Sequence, residues 1–170
     1  MGGAIQVHSK PGKGTQFHVY LPVEKNLSEE QVTNSKAEIQ SGTEQILLVD
    51  DEEAILIMEK KLLERLGYQV TSQINSIEAL ELFRANSNKF DLVITDLQMP
   101  NMPGDKLSAE LVKINPDIPV LLCTGYSEIM SEEKAFSMGI KGFLLKPIIM
   151  KDLSQKIREV LDSNKNENTN

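Results

Sequence analysis

Between residues 44 and 162 one pattern recurs: a short apolar run, a polar turn, then a segment with helical spacing. The runs are Ile46-Leu47-Leu48-Val49, the weaker Tyr68-Gln69-Val70-Thr71, then Leu92-Val93-Ile94-Thr95, Val120-Leu121-Leu122-Cys123 and Gly142-Phe143-Leu144-Leu145. Most are apolar at consecutive positions, which marks strands covered on both faces, as in a parallel sheet. Helices are expected at about 52 to 66, 75 to 86, 104 to 114, 127 to 138 and 150 to 162. In the first, Ile55, Met58, Leu62 and Leu66 form one apolar stripe, and Gly67 stands where a left-handed C-terminal cap is wanted. Gly139 does the same after the fourth helix. Such βα units imply an α/β fold, an open, doubly wound parallel sheet with helices on both faces. Ligand chemistry then belongs at the carboxyl ends of the strands, beside the switch point.

The flanks differ in kind. In residues 1 to 22, Ile5 and Val7 alternate with polar neighbours, Ser9-Lys10-Pro11-Gly12-Lys13-Gly14 supplies turn residues, and Phe17, Val19 and Leu21 alternate again. This spells a β-hairpin with one apolar face, which is marginal in water unless it packs on something. Residues 23 to 43 are polar with scattered apolar residues and no sustained period, so they read as a linker. Residues 163 to 170, SNKNENTN, have nothing to bury and are expected to form a disordered tail.

Composition narrows the partners. Eighteen Lys and Arg against 25 Asp and Glu leave a formal charge of −7, a poor surface for phosphate backbones, so no nucleic acid is expected. No apolar run approaches the roughly 18 residues that span a bilayer, and Met1-Gly2-Gly3-Ala4 offers no basic start to a secretory signal. Cys123 is the single cysteine, which excludes an intrachain disulfide and a cysteine-rich zinc site. A cytoplasmic location and no membrane contact by this segment are the expectations.

Placing the polar residues on the strand map brings chemistry to one edge. Asp50 and Asp51 follow the first strand, Asp96 the third, Thr124 ends the fourth and Lys146 follows the fifth. Singly each has an ordinary explanation: a helix cap, a turn, a strand end, a solvated lysine. Together they make a chance arrangement improbable. Clustered carboxylates repel one another unless a hard cation sits among them, and oxygen ligands with retained water suit Mg²⁺. Lys146 and Thr124 opposite the acids complete a pocket for a phosphoryl group, and a carboxylate can serve as its nucleophile.

These residues resemble the receiver (response regulator) domain of two-component signalling. The resemblance rests on ILLVDDE, DLVITDLQMP, VLLCTGY and GFLLKP, in order, and covers residues 44 to 162. It implies a flavodoxin-like sheet of strand order 2-1-3-4-5. It also implies that Asp96 is the phosphoacceptor and that Asp51, Asp96 and the main-chain carbonyl of Gln98 ligate Mg²⁺, with Asp50 acting through water. Thr124 then contacts the phosphoryl group, Lys146 pairs with it, and Lys146-Pro147 is often cis. Phe143 falls at the aromatic switch position coupled to Thr124, although a core Phe in a buried strand is an equal reading. Gln98 and Tyr126 flank the acceptor, and Tyr126 could shade an acyl phosphate from water, so slow self-hydrolysis is expected.

The hairpin GGAIQVHSKPGKGTQFHVYLP is similar to the closing segment of a histidine kinase ATP-binding domain. Its place before a linker and a receiver implies the carboxyl-terminal piece of a hybrid sensor histidine kinase. The motifs that bind ATP are not in this stretch, so neither ATP binding nor autophosphorylation is expected of it. A histidine kinase or histidine phosphotransfer protein is the implied partner, docking on the first helix and on Pro147-Ile148-Ile149-Met150, unless those residues pack in the core. Few residues follow the fifth helix, so output through such a partner is expected. The competing enzyme is a Mg²⁺-dependent phosphohydrolase with Asp96 as nucleophile; such chemistry usually wants an acid two residues on, where Gln98 stands. Gly12-Lys13-Gly14-Thr15 lacks the spacing of a P-loop and reads as a turn. His8 and His18 read as exposed hairpin residues and Cys123 as a small buried hydrophobe.

Overall fold

The computed structural model describes residues 3–22, 39–125, 135 and 138–167. The chain divides into two units, Met1–Ala37 and Glu38–Asn170. In the first, β1 (Ala4–Lys10) and β2 (Gly14–Tyr20) pair antiparallel, with Ile5 opposite Val19 and Val7 opposite Phe17. Because side chains alternate across a strand, these four residues share one face. Gly12 (φ 73°) and Gly14 (φ 89°) carry the turn through backbone conformations that a side chain disfavours.

In the second unit the strands are β3 (Gln45–Val49), β4 (Gln69–Gln73), β5 (Leu92–Asp96), β6 (Val120–Thr124) and β7 (Ile140–Leu145). They lie in the order β4-β3-β5-β6-β7, all parallel, which is the expected 2-1-3-4-5 sheet. The described helices are α1 (Glu53–Arg65), α2 (Ser76–Ala85), α3 (Gly104–Ile114) and α4 (Met150–Glu167). The helix expected at 127 to 138 falls largely outside the described residues.

The alternation of β3 explains why both faces need helices. Ile46 and Leu48 enter one core with Leu56 and Leu63 of α1 and Leu153 and Ile157 of α4. Leu47 and Val49 enter the other with Ala79 and Phe83 of α2 and Leu107 and Leu111 of α3. Each fully buried leucine or isoleucine contributes about 1.5–3 kcal/mol relative to exposure, so a strand apolar at every position is stable only in this sandwich.

Two expectations shift. The buried residues of α1 are Leu56, Glu59 and Leu63, while Met58 is 46% exposed; of the expected Ile55-Met58-Leu62-Leu66 stripe, Leu66 is buried and Leu62 packs partly buried on the core, so the helix turns the neighbouring row inward. The last helix runs to Glu167 rather than ending near 162, with the Asn164 side chain donating to the Asp117 carbonyl at 2.9 Å. That bond ties down a residue that has no apolar side chain to anchor it. At the end of α1, Gly67 (φ 96°) forms the expected cap: Gly67 N–H donates to Glu64 O (3.0 Å) and Tyr68 N–H to Leu63 O (3.2 Å).

The segment entering β3 is fastened beside that cap. Gly42 N–H donates to Leu66 O at 3.0 Å, and Gln69 N–H to Glu44 O at 3.0 Å. Arg158 of α4 pairs with the Glu44 carboxylate at 2.9 Å, and its guanidinium lies 5.5 Å from the centre of the Tyr68 ring.

Candidate functional site

The carboxyl ends of β3, β5, β6 and β7 meet at one edge, and their end residues were the polar ones in the sequence. Asp50 follows β3, Asp96 ends β5 and Thr124 ends β6; all three are buried. Lys146 follows β7, and its main-chain N–H donates to Thr124 O at 3.0 Å, which continues the ladder one step past the strand. The Lys146–Pro147 peptide bond is cis.

The Lys146 ammonium sits between two carboxylates, 2.8 Å from Asp50 Oδ2 and 2.6 Å from Asp96 Oδ1. The other oxygens are taken by the backbone: Glu52 N–H donates to Asp50 Oδ1 at 2.8 Å, and Gln98 N–H to Asp96 Oδ2 at 2.7 Å. Burial works against the lysine charge, but the hydrogen-bonded ion pairs with Asp50 and Asp96 outweigh it and hold the ammonium above its ordinary range. Asp96, Gln98, Thr124, Gly125, Lys146, Glu52 and Leu97 line a cavity of ≈ 250 Å³.

Asp51 is placed differently. It lines a neighbouring cavity of ≈ 200 Å³ with Ile74, Asn75, Ser76, Met99, Pro100 and Asn101. Among the described residues it has no ion-pair or hydrogen-bond partner. Nor, among them, do three His, Cys, Asp or Glu side chains gather as a ready-made metal cage. The donor types nevertheless fit a hard divalent ion. Asp50, Asp51 and Asp96 carry three negative charges against the one positive charge of Lys146, which leaves −2 on oxygen ligands alone.

One residue was missed. Glu59 of α1 is 3% exposed, and the charges that act on it are those of Asp50, Lys146 and Asp96. Burial, then the negative charge of Asp50, pushes its carboxyl up to about 7; Lys146 opposes and Asp96 adds to the rise. The signal lay in the row Leu56-Glu59-Leu63-Leu66, apolar at helical spacing except at the acid.

The other candidates divide. Phe143 of β7 is half-buried against the cluster of Leu122, Ala135 and Ile140. Ile148 belongs to the core, whereas Ile149 is 52% exposed, as are Ile57 and Met58 of α1 at 48% and 46%. His8 and His18 are exposed on the hairpin, their rings 6.0 Å apart edge to face. Cys123 is buried, and burial pushes its thiol well above the ordinary range. Tyr126 lies outside the described residues. Among the described residues no helix is long and apolar enough to cross a membrane.

Comparison with known proteins gives the same family at each level. The model of the response regulator receiver domain matches residues 46–158. The sensor kinase CckA of Brucella abortus (strain 2308) is 33% identical over 169 residues, covering 95% of this chain and 18% of that protein. The sensor protein EvgS of Escherichia coli (strain K12) is 31% identical over 169 residues, covering 94% of this chain and 13% of that protein. The chain thus spans less than a fifth of the length of either relative. Among solved structures, a response regulator receiver domain protein from Clostridium thermocellum superposes with a TM-score of 0.67 at 36% identity, covering 72% of this chain and 97% of that one.

Proposed function

The chain belongs to the response regulator receiver family, and from that premise we propose that it accepts a phosphoryl group on Asp96 from a phosphohistidine and relays it to, or receives it from, a histidine-containing partner. The observation that carries the reading is the Lys146 ammonium 2.6 Å from Asp96 Oδ1, in a cavity that also presents Thr124. In the transfer, a carboxylate oxygen of Asp96 attacks phosphorus, the histidine N–P bond breaks, and the imidazole leaves as an O–P bond forms. Lys146, already charged and already paired to Asp96, needs no proton movement to neutralise the incoming oxygens. Thr124 brings a hydroxyl to the same cavity and can donate to the phosphoryl group.

Mg²⁺ is the proposed cofactor. Asp51, Asp96 and the Gln98 carbonyl would hold it, with Asp50 acting through water, and when bound it would offset charge on the transferring group. The charge of −2 left by three carboxylates and one ammonium supports this assignment.

Alignment of both the hairpin and the receiver with sensor kinases supports an origin in a hybrid sensor histidine kinase; a cytoplasmic location belongs to the same proposal, and the formal charge of −7 argues against nucleic acid as a partner. Exposed Ile57, Met58 and Ile149 are the proposed apolar contacts for a partner helix. On this reading residues 1–22 are the end of an ATP-binding domain, 23–43 a linker and 44–162 the receiver, with Phe143 and Thr124 as its switch pair.

The test is intact-protein mass after exposure to acetyl phosphate, with and without Mg²⁺, on the native chain and Asp96→Asn. The expected result is a Mg²⁺-dependent gain of one phosphate that disappears in the variant. Rapid donor hydrolysis without accumulation would instead favour a phosphohydrolase.

A further inference from the structure

Two polar side chains that lack partners among the described residues belong to residues lining one cavity. Ser76 opens α2 and is 1% exposed, yet its hydroxyl makes no hydrogen bond. Asn75 supplies the helix cap, accepting from Ile77 N–H at 2.8 Å, so Ser76 is not needed for that purpose. The Asp51 carboxylate, also without a partner among the described residues, lines the same ≈ 200 Å³ space.

A buried hydroxyl left unsatisfied carries a free-energy penalty, and an ionised carboxylate can only accept hydrogen bonds. A direct bond from Ser76 to Asp51 would satisfy both, and the structure does not make it. Whatever bridges them must donate to Asp51 or neutralise it while also reaching the Ser76 oxygen. The cavity is several times the roughly 30 Å³ that one water takes in the liquid, so it has room for hydration. Its far wall is set by the loop Met99-Pro100-Asn101, where Asn101 holds a left-handed conformation (φ 66°) and Met102 N–H donates to Pro100 O at 2.7 Å.

We propose that Ser76 is a positioning residue for the divalent cation, its hydroxyl holding a water of the hydration shell on the Asp51 side. The inference rests on the Mg²⁺-dependent receiver reading and extends it to a residue outside the acidic set. Mg²⁺ keeps several waters when it binds proteins, and a water polarised by the ion donates more strongly than a free one. Ser76 offers the acceptor; its own proton is left for a second water in the cavity. Loss of such an outer partner characteristically weakens metal binding by about tenfold or more.

The test is Mg²⁺ affinity by isothermal titration on the full chain, without any phosphodonor, for the native protein, Ser76→Ala, Ser76→Thr and Asp51→Asn. The expected result is binding by the native chain, loss with Asp51→Asn, about tenfold weaker binding with Ser76→Ala, and near-native binding with Ser76→Thr, which restores the hydroxyl. Native affinity in Ser76→Ala, with Asp51→Asn still defective, overturns the role of Ser76 and leaves the receiver reading standing. Equal weakening in the Ala and Thr variants assigns the effect to packing and also overturns it. A native chain that binds no Mg²⁺ overturns both.

Discussion

The α-carbon of Gly104 is pressed against the main-chain carbonyl of Asp96. Its N–H donates to Leu97 O at 3.0 Å, and a methyl group on that carbon would run into Asp96 O and lie 2.9 Å from Leu122 Cδ1. The first residue of α3 therefore sets how far the acceptor strand extends before the chain turns. Gly104→Ala must displace either the helix start or the end of β5. A loss of about 1–3 kcal/mol is expected in urea unfolding, as for other overpacked cores. Phosphoryl gain on Asp96 should slow by at least tenfold when the variant is assayed under conditions where it is fully folded. Native rates in that assay would show that the loop gives way without moving the acceptor.

Lys146 neutralises two acids at once, so its removal has opposite effects on metal and on phosphate. Lys146→Ala leaves Asp50 and Asp96 without their shared cation in a buried setting, where an unpaired charge is costly. The site changes from −2 to −3 across Asp50, Asp51, Asp96 and position 146. Mg²⁺ should bind several-fold more tightly, and its addition should raise the melting temperature of the variant more than that of the native protein. Phosphoryl transfer from acetyl phosphate should fall by an order of magnitude or more, since the ammonium that meets the phosphoryl oxygens is gone. Weaker Mg²⁺ binding in the variant would contradict the charge argument.

Glu59 makes stability depend on pH in metal-free buffer. Burial and the Asp50 charge raise its carboxyl from 4.5 to about 7. The folded state then keeps this proton over a range in which the unfolded state has released it. Its contribution is fully present below about pH 4.5 and is lost as pH rises to about 7, at close to 1.4 kcal/mol per unit. Glu59→Gln removes that slope and should stabilise the chain by about 3 kcal/mol at pH 8. Urea midpoints measured from pH 5 to pH 8 on both proteins check this, because the other titrating groups cancel in the difference. Parallel curves would sink the assignment.

The strands were legible because a residue such as Leu47 or Ile94 has nowhere to go but a core on either side of a sheet, and consecutive apolar residues leave only the parallel, doubly covered solution. Strand ends were legible for the same reason: the apolar run stops where the sheet edge begins, which located Asp50, Asp96, Thr124 and Lys146 even though the first three are themselves buried. The face of α1 was not. Two rows of the helix carry apolar residues at helical spacing, and the one that is buried contains Glu59, an acid whose ionisation responds to charges 9, 37 and 87 positions away in sequence at Asp50, Asp96 and Lys146. The separation of Asp51 from the Asp50–Lys146–Asp96 group escaped the sequence too. Asp51 lines a cavity walled by residues 74–76 and 99–101, which follow other strands and are remote from it in sequence.

The fastening of Gly42 to Leu66 and of Glu44 to Arg158 has a mechanical meaning. The chain enters β3 at its amino end, and the acceptor edge lies a strand length away, five residues or roughly 16 Å. Gly42 and Glu44 are thus held at the end of the domain remote from Asp96. A pull or twist on this segment is borne by Leu66 at the end of α1, Gln69 at the head of β4 and Arg158 of α4, through one ion pair and two backbone bonds. None of these three contacts involves Asp50, Asp96, Thr124 or Lys146, so that load stays off the acidic edge.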